Sequence, residues 1–463
     1  MAQSAARTRP FTRLLVLVAA GLTIAAATVA QAQDSQPWYQ SYGNRGRLLG
    51  GLTIGGRGDI SAVFYNPGQI AFGRSSEVLL SASTYELQTL KYVNRSELEG
   101  EISSSNFGSS PSLVAGDFGG TGGSATRFAY SILSRQNFGA DLRYRGRLDV
   151  DSLGGVADLG YAAFDLHARP ELSEQWVGVT VSRQMSPTFG LGVTTTTTVR
   201  SQSAASEFFV QGLASDTVGV IGMRRYDFAY THWGLLAKIG ALWQTDTWGL
   251  GVTLTTPRLT LFGSGSVGLF NGYVDQGALD ESREFVSTAQ EDIPARYRSP
   301  WAIGFGAHRA FGRTRVFASG EWYDAVATEP VLDAEPVTSE IAGRVVNVDA
   351  VQDGRSIVNG GLGVEHPLSE TFVAYLALRT DFTTASEAPR PNTSFTRWDL
   401  KHVSTGTTFR ISKSDFAVGI DYAFGSEDEI ALVPPGTPDL RIPFVADARI
   451  SSLSLLLGYK LVF

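Results

Sequence analysis

RISSLSLLLGYKLVF, residues 449–463, ends the chain and decides how the rest of it is read. Every second residue back from the end is apolar: Phe463, Leu461, Tyr459, Leu457, Leu455 and Leu453. Between them stand Val462, Lys460, Gly458, Leu456, Ser454 and Ser452, a small, mixed set carrying a lysine. Period-two alternation marks a strand with different surroundings on its two faces. Soluble chains usually fray in water at their ends. A final strand that is apolar on one face and closes on Phe suits instead a closed barrel whose outer face meets lipid.

The same alternation recurs upstream, with Phe416, Val418, Ile420, Tyr422 and Phe424 opposing Asp415, Ala417, Gly419, Asp421 and Ala423. Trp248, Leu250, Val252 and Leu254 oppose Gly249, Gly251, Thr253 and Thr255; Leu235, Ala237, Ile239 and Ala241 oppose Leu236, Lys238 and Gly240. Phe372, Leu376 and Leu378 oppose Tyr375, Arg379 and Asp381. A one-residue slip would turn Arg379 or Asp421 toward lipid, at about 2–4 kcal/mol for Arg near the midplane, so register is well specified. Short turns at 185–188, 244–247, 312–313, 367–370 and 412–414 alternate with longer polar stretches, around 201–224, 264–298, 324–354, 383–395 and 425–447. That rhythm is expected of an all-β, up-and-down antiparallel transmembrane barrel with tight turns on one side of a membrane and long loops on the other.

Eleven strands are counted back to Val177. Upstream, 78–93, 127–136 and 140–150 bring the number to fourteen, and 156–167 is either the top of the strand ending at Gln184 or part of a loop. Trp176, Trp243, Trp248, Trp301 and Trp398 fall near strand ends, where interfacial aromatics belong.

Composition agrees and excludes other classes. The 463 residues include 51 Gly and no Cys, which removes disulfides and thiolate metal sites. A net charge of -7 makes nucleic acid an unsuitable partner. A mean hydropathy of -0.01 is too polar for a helical membrane bundle, but not for a barrel with a polar lumen. Arg7, Arg9 and Arg13, the apolar run 14–29 and Ala30-Gln31-Ala32 read as a secretory signal over residues 1–32. Export without a helical anchor points to the outer membrane of a Gram-negative-type bacterium. The partners expected are outer-membrane lipid and, through the strand ending at Phe463, the barrel-assembly machinery. The histidines (167, 232, 308, 366, 402) are scattered and make no metal motif, Gly119–Gly123 reads as a loop and not a nucleotide site, and Arg57-Gly58-Asp59 as a chance tripeptide. No catalytic constellation, cofactor site or metal site is expected.

Residues 33–75 differ from the strands downstream. Glycines at 50, 51, 55, 56 and 58 exclude a long helix, Asn66-Pro67-Gly68 signals a turn, and Leu52, Ile54, Ile60, Val63, Phe64, Ile70 and Phe72 make the segment apolar. It suits a compact plug held inside the barrel formed by residues 76–463. The stretch 51–72, with Gly55-Gly56, Asp59-Ile60-Ser61-Ala62-Val63-Phe64-Tyr65 and Asn66-Pro67-Gly68, resembles the FadL-type outer-membrane hydrocarbon transporters. Phe189-Gly190-Leu191-Gly192-Val193-Thr194, Trp248-Gly249-Leu250-Gly251-Val252-Thr253 and Thr256-Pro257 are also like that family. The resemblance implies a fourteen-stranded barrel with an N-terminal hatch. It also implies passive uptake of long-chain fatty acids or hydrocarbons through an apolar pocket and out through a gap in the wall. Asn66 and Pro67 take the place of the hatch element that shifts to open a path; Gly68 completes the turn where the family usually has Ala. The scattered lumen charges, Lys238, Glu321, Arg379, Asp381, Asp421 and Lys460, are expected to pair across the bore. The competing expectation is a structural or secretion-associated barrel whose long loops, about 264–298 and 326–354, grip a protein partner.

Overall fold

The computed structural model describes residues 35–56, 59–73, 76–94, 101–118, 125–148, 162–215, 218–276, 283–341, 343–386, 393, 397–431 and 445–463. The signal segment, Arg57-Gly58, Gly119–Gly123 and Pro434-Pro435 lie outside them. Fourteen antiparallel spans close into a ring: β1 (Glu77–Asn94), β2 (Glu101–Asp117), β3 (Thr126–Gly139, continued by Leu142–Leu148), β4 (Ala162–Gln184), β5 (Phe189–Ser215), β6 (Val218–Gln244) and β7 (Trp248–Thr255, continued by Leu259–Gln276) form the first half. β8 (Arg283–Pro294, continued by Ala302–Phe311), β9 (Thr314–Tyr323), β10 (Ile357–Pro367), β11 (Phe372–Asp381), β12 (Leu400–Ile411), β13 (Ser414–Ala431) and β14 (Val445–Val462) complete it. The closing pair is β1 with β14, in register from Glu77–Val462 to Asn94–Ala446. Closure leaves no sheet edge there, which is what an apolar last strand requires.

Alternation sorts the side chains as expected. On β13, Val418, Ile420, Tyr422 and Phe424 are exposed outward while Ala417, Asp421 and Ala423 are buried inward. On β14, Leu453, Leu457 and Tyr459 face out and Ser452 and Leu456 face in. Two outward aromatic pairs bound the belt on β6 and β7: Trp243 meets Trp248 edge-on at 5.3 Å, and Trp233 stacks on Phe262 at 5.4 Å. The ten residue-to-residue steps from Trp233 to Trp243 span about 33 Å of strand. A tilt near 40° brings that to about 25 Å, the height of the apolar band of a membrane barrel.

Several expectations are corrected. The strand count is fourteen, but its composition differs. Residues 101–117 form β2, which sequence reading passed over, and 127–136 and the described part of 140–150 belong to one span, β3, with a break at its middle. The described part of 156–167 is the top of β4. Much of 201–224 and 264–298 is strand, because neighbouring spans supply ladder bonds that alternation alone does not reveal: β5 and β6 pair from Phe189–Trp243 to Ser215–Val218. Trp176 and Trp398 do not join the aromatic belts. Trp176 lies on the inward face of β4 and donates to Glu174 at 2.6 Å, and Trp398 is buried beneath the N-terminal segment. Residues 326–354 fold into two small hairpins, Val326–Leu332 with Ala350–Gly354 and Val337–Thr338 with Val345–Val346. Val331, Leu332, Val348 and Ala350 of these hairpins pack against Tyr226, Phe228, Tyr230, Val267 and Leu269 of the wall.

Candidate functional site

The N-terminal segment holds α1 (Asn44–Leu48), α2 (Ala62–Tyr65) and a 3-10 turn, Pro67–Phe72. The helices are one turn each because the glycines between them forbid more. Its partners lie on strands spread round the whole ring, a set reachable only from within it. Trp38 donates its backbone N–H to Asp381 of β11 (2.7 Å) and its indole to Glu321 of β9 (2.9 Å). The Tyr39 phenol donates to Glu86 of β1, Arg45 pairs with Glu365 of β10 (2.5 Å), and Asn44 donates to the Asp415 carbonyl of β13 (3.2 Å). On the far side, the Thr194 hydroxyl of β5 donates to the Val63 carbonyl (2.8 Å), and His308 of β8 hydrogen-bonds with the Gly55 carbonyl (2.8 Å).

Asn66-Pro67-Gly68 sits in a socket made of backbone. Asn66, fully buried, donates to the carbonyls of Ile54 (2.8 Å) and Ala241 (2.9 Å) and accepts from the Gly68 N–H (3.0 Å), which caps the adjoining 3-10 turn. The Gly-x-Gly motifs of β5 and β7, with Gly240 of β6, are the wall of this socket. A Cβ on Gly192 would stand 2.4 Å from the Pro67 carbonyl oxygen, on Gly240 2.2 Å from Asn66 Oδ1, and on Gly251 2.0 Å from the Ile54 carbonyl oxygen. Only hydrogen at these inward positions lets the segment's backbone touch the strands. The motif's second glycine therefore reports a packing requirement that its sequence pattern conveys without explanation.

The wall beside this segment is interrupted. β2 and β3 pair from Asp117–Ala129 to Leu113–Leu133 and stop there, while β1 continues alongside β2 to Val93–Glu101. Leu87, exposed on the outward face of β1, lies past that point, opposite Phe107. The interruption therefore runs within the apolar belt. At the same level β3 bulges against β4 between Ser134 and Gln136, turning Arg135 inward over the rings of Phe64 and Trp176, 5.5 Å from each. Two bonds latch the N-terminal segment to this bulge: the Tyr42 phenol donates to the Ser134 carbonyl (2.9 Å), and Arg135 donates to the Pro37 carbonyl (2.7 Å). Tyr42, Ile60, Val63, Phe64, Tyr65, Leu113, Ala129, Leu133 and Trp176 form one apolar cluster against the interruption. Burial pushes the Tyr42 phenol up to about 12, against the lowering influence of Arg135, and keeps it a donor.

The lumen charges are paired. Lys238 meets Glu321 (3.6 Å), Arg379 meets Asp421 (3.2 Å), and Lys460 meets Asp415 (2.9 Å) and Glu77 (3.5 Å). His402 bridges Asp421 (2.9 Å) and Asp381 (3.7 Å). Sequence reading missed Glu86, Arg135, Glu174, Arg200, Arg258 and His402. Glu174, Arg200 and His402 stand on the inward parity of strands already read, so extending the alternation would have found them; Glu86 lies past a bulge in β1 and is turned inward against parity counted from Leu79 and Ser81. Arg135 and Arg258 sit at irregularities that parity does not anticipate. Among the described residues no cluster of His, Cys, Asp and Glu has metal-binding geometry.

No family model matches the sequence, and no curated protein matches it. Solved structures do match in fold. The Pseudomonas putida toluene transporter TodX superposes with a TM-score of 0.60 at 13% identity, covering 91% of this chain and 99% of that one. A Pseudomonas aeruginosa FadL homologue gives 0.56 at 13% identity over 94% and 99%, and the Ralstonia pickettii toluene transporter TbuX gives 0.52 at 12% over 91% and 98%. The chain thus has the fold of the FadL-type channels.

Proposed function

Starting from the fold shared with FadL-type channels, we propose that this protein is an outer-membrane channel for passive uptake of hydrophobic small molecules, long-chain fatty acids or hydrocarbons. The observation that carries the reading is the coincidence of three features at one place: a break between β2 and β3 within the apolar belt, an apolar inner surface facing it, and an N-terminal segment latched to the broken edge by Tyr42 and Arg135. A molecule with no hydrogen-bonding groups cannot cross a polar lumen cheaply, but it can pass an apolar surface that opens sideways into lipid. Residues 33–75 act as the hatch, with residues 1–32 removed on export, and the barrel from 76 onward forms the wall. Asn66, Pro67 and Gly68 hold the hatch on β5, β6 and β7, so displacement of this turn opens the path. Outer-membrane lipid surrounds the belt, and the β14 strand ending at Phe463 serves assembly. Charges paired between nearby strands, Lys238–Glu321 from β6 to β9 and Arg379–Asp421 from β11 to β13, stiffen the wall and do not line an ion path.

The packing of Val331, Leu332, Val348 and Ala350 on the wall reduces the surface that a protein-gripping barrel would use there. The test is saturable binding of fatty acids and alkanes by the purified protein, with uptake into vesicles measured next. Binding is expected, and Asn66→Ala, which removes the amide donor to the Ile54 and Ala241 carbonyls, is expected to change uptake while the barrel stays folded. Absence of saturable binding for every such ligand refutes the proposal.

A further inference from the structure

A second irregularity in the wall lies between β7 and β8. β7 leaves its ladder at Thr256-Pro257-Arg258, and β8 leaves its own between Pro294 and Ala302. On one side of this seam Ser264–Val274 pairs with Pro294–Arg283; on the other, Trp248–Thr255 pairs with Arg309–Ala302. Pro257 has no N–H to give. The seam is bridged by the Ala295 N–H donating to the Gly263 carbonyl (3.0 Å) and the Arg258 N–H donating to Ser299 Oγ (2.9 Å). Outside, Leu259, Leu261, Phe262 and Trp301 are exposed, at 67%, 51%, 60% and 44%. They lie where the Trp233–Phe262 stack marks one edge of the belt.

Beneath the seam the chemistry changes. The Arg258 side chain turns inward across Gly234, where a Cβ would stand 2.4 Å from its Cγ. It pairs with Glu174, which also holds Arg200 at 2.8 Å, and the Tyr297 ring covers both guanidiniums at 4.1 Å (Arg200) and 4.9 Å (Arg258). Two buried cations therefore share one carboxylate. The Arg258 side chain is 2% exposed, yet among the described residues its Nε and Nη1 have no hydrogen-bond partner. The same holds for Thr198 Oγ1, whose residue faces Gly234 in the β5–β6 ladder, and for His232 Nδ1, two residues along β6. Buried guanidinium donors without acceptors are costly, and a carboxylate satisfies both the hydrogen bonds and the surplus charge.

We propose that the β7–β8 seam is a lateral binding site for an anionic amphiphile, with the apolar tail on Leu259, Leu261, Phe262 and Trp301 and the carboxylate reaching through the seam to Arg258. The inference rests on the channel reading above and narrows its substrate to hydrophobic acids. Arg258 is then the residue that separates an acid from a neutral molecule of the same length.

The experiment compares dodecanoate with dodecanol on the full-length protein in lipid vesicles. Arg258→Gln shortens the side chain, removes its charge and leaves Arg200 to hold Glu174. It is expected to weaken dodecanoate binding about tenfold or more, the loss of a charge-assisted pair, and to leave dodecanol binding within about twofold. Equal losses for the two ligands, or none, overturn the site. A second variant does not depend on Arg258: Ser299→Cys places a single thiol at the seam of a chain that has no cysteine. A maleimide dissolved in the bilayer is expected to label it, and dodecanoate to slow the labelling; a thiol that stays unlabelled, or that dodecanoate fails to protect, overturns the site. Wild-type protein that binds neither amphiphile refutes the channel reading together with the site. Wild-type protein that binds both, with Arg258→Gln unchanged, refutes the site alone.

Discussion

Gly192→Ala is the sharpest probe of how the hatch is held. The new Cβ would lie 2.4 Å from the Pro67 carbonyl oxygen and 2.5 Å from its carbon, both backbone atoms that no side-chain rotation can move. Relief to an ordinary carbon–oxygen contact of about 3.3 Å requires the Pro67 turn or β5 to withdraw by about 0.9 Å. β5 is held on both sides, by β4 from Ala162–Gly212 to Gln184–Gly190 and by β6 along its whole length. The turn therefore yields, and with it the Asn66 bonds to Ile54 and Ala241 lengthen. Overpacking of this kind costs about 1–3 kcal/mol. Since about 1.4 kcal/mol is tenfold in an equilibrium, local opening of the hatch should become roughly 5- to 150-fold more frequent. Amide hydrogen exchange reads this directly: amides of residues 66–72 are expected to exchange faster by that factor, with those of β5 and β6 unchanged. Gly320→Ala is the control, because the nearest atom to its Cβ is the Asn359 carbonyl oxygen at 3.3 Å. Equal exchange at 66–72 in wild type, Gly192→Ala and Gly320→Ala would show that the glycine socket does not hold the hatch.

Two further outcomes rest on the same geometry. Burial raises the Tyr42 phenol above its unfolded value of about 10, to about 12, so the stability it contributes is complete below the unfolded value and is lost as pH rises through the folded one. The Tyr42–Ser134 latch should therefore hold from neutral pH to about 10 and loosen only above it; an ultraviolet tyrosinate titration in which wild type and Tyr42→Phe differ already near pH 10 contradicts this. Arg379→Met removes the cation that is hydrogen-bonded to Asp421 and lies beside His402, with a side chain only 1% exposed, and leaves the carboxylates of Asp421 and Asp381 buried. A loss of about 3–5 kcal/mol is expected, read as a lower temperature for heat-modifiable gel migration, and an unchanged transition contradicts it.

The amino-acid pattern carried the parity of most strands, and with it the closed barrel. Alternation is local: Val418, Ile420 and Tyr422 face lipid whatever strand lies beside them. The turn in the N-terminal segment was legible for a related reason. Asn66-Pro67-Gly68 is contiguous, and the turn it specifies needs no distant partner to be recognised. What parity could not reach was the strand β2, whose residues 101–112 show no alternation and are placed by pairing with β1. Nor could it reach the extension of β5 to β8 beyond the belt, where ladder bonds with neighbours replace hydrophobic contrast as the ordering force.

The two seams, at Leu113–Leu133 and at Thr256–Pro257–Arg258, belong wholly to the tertiary structure. Each exists because two consecutive strands lose their pairing at one height, and where they lose it is set by the strands that hold their other edges. So does the company kept by Arg135, Glu174 and Arg258, since an inward charge on one strand is given its partner by the stagger of others. Sequence determined which way the residues face; only the closing of the ring determined what they face, because register around a barrel is set by every strand at once.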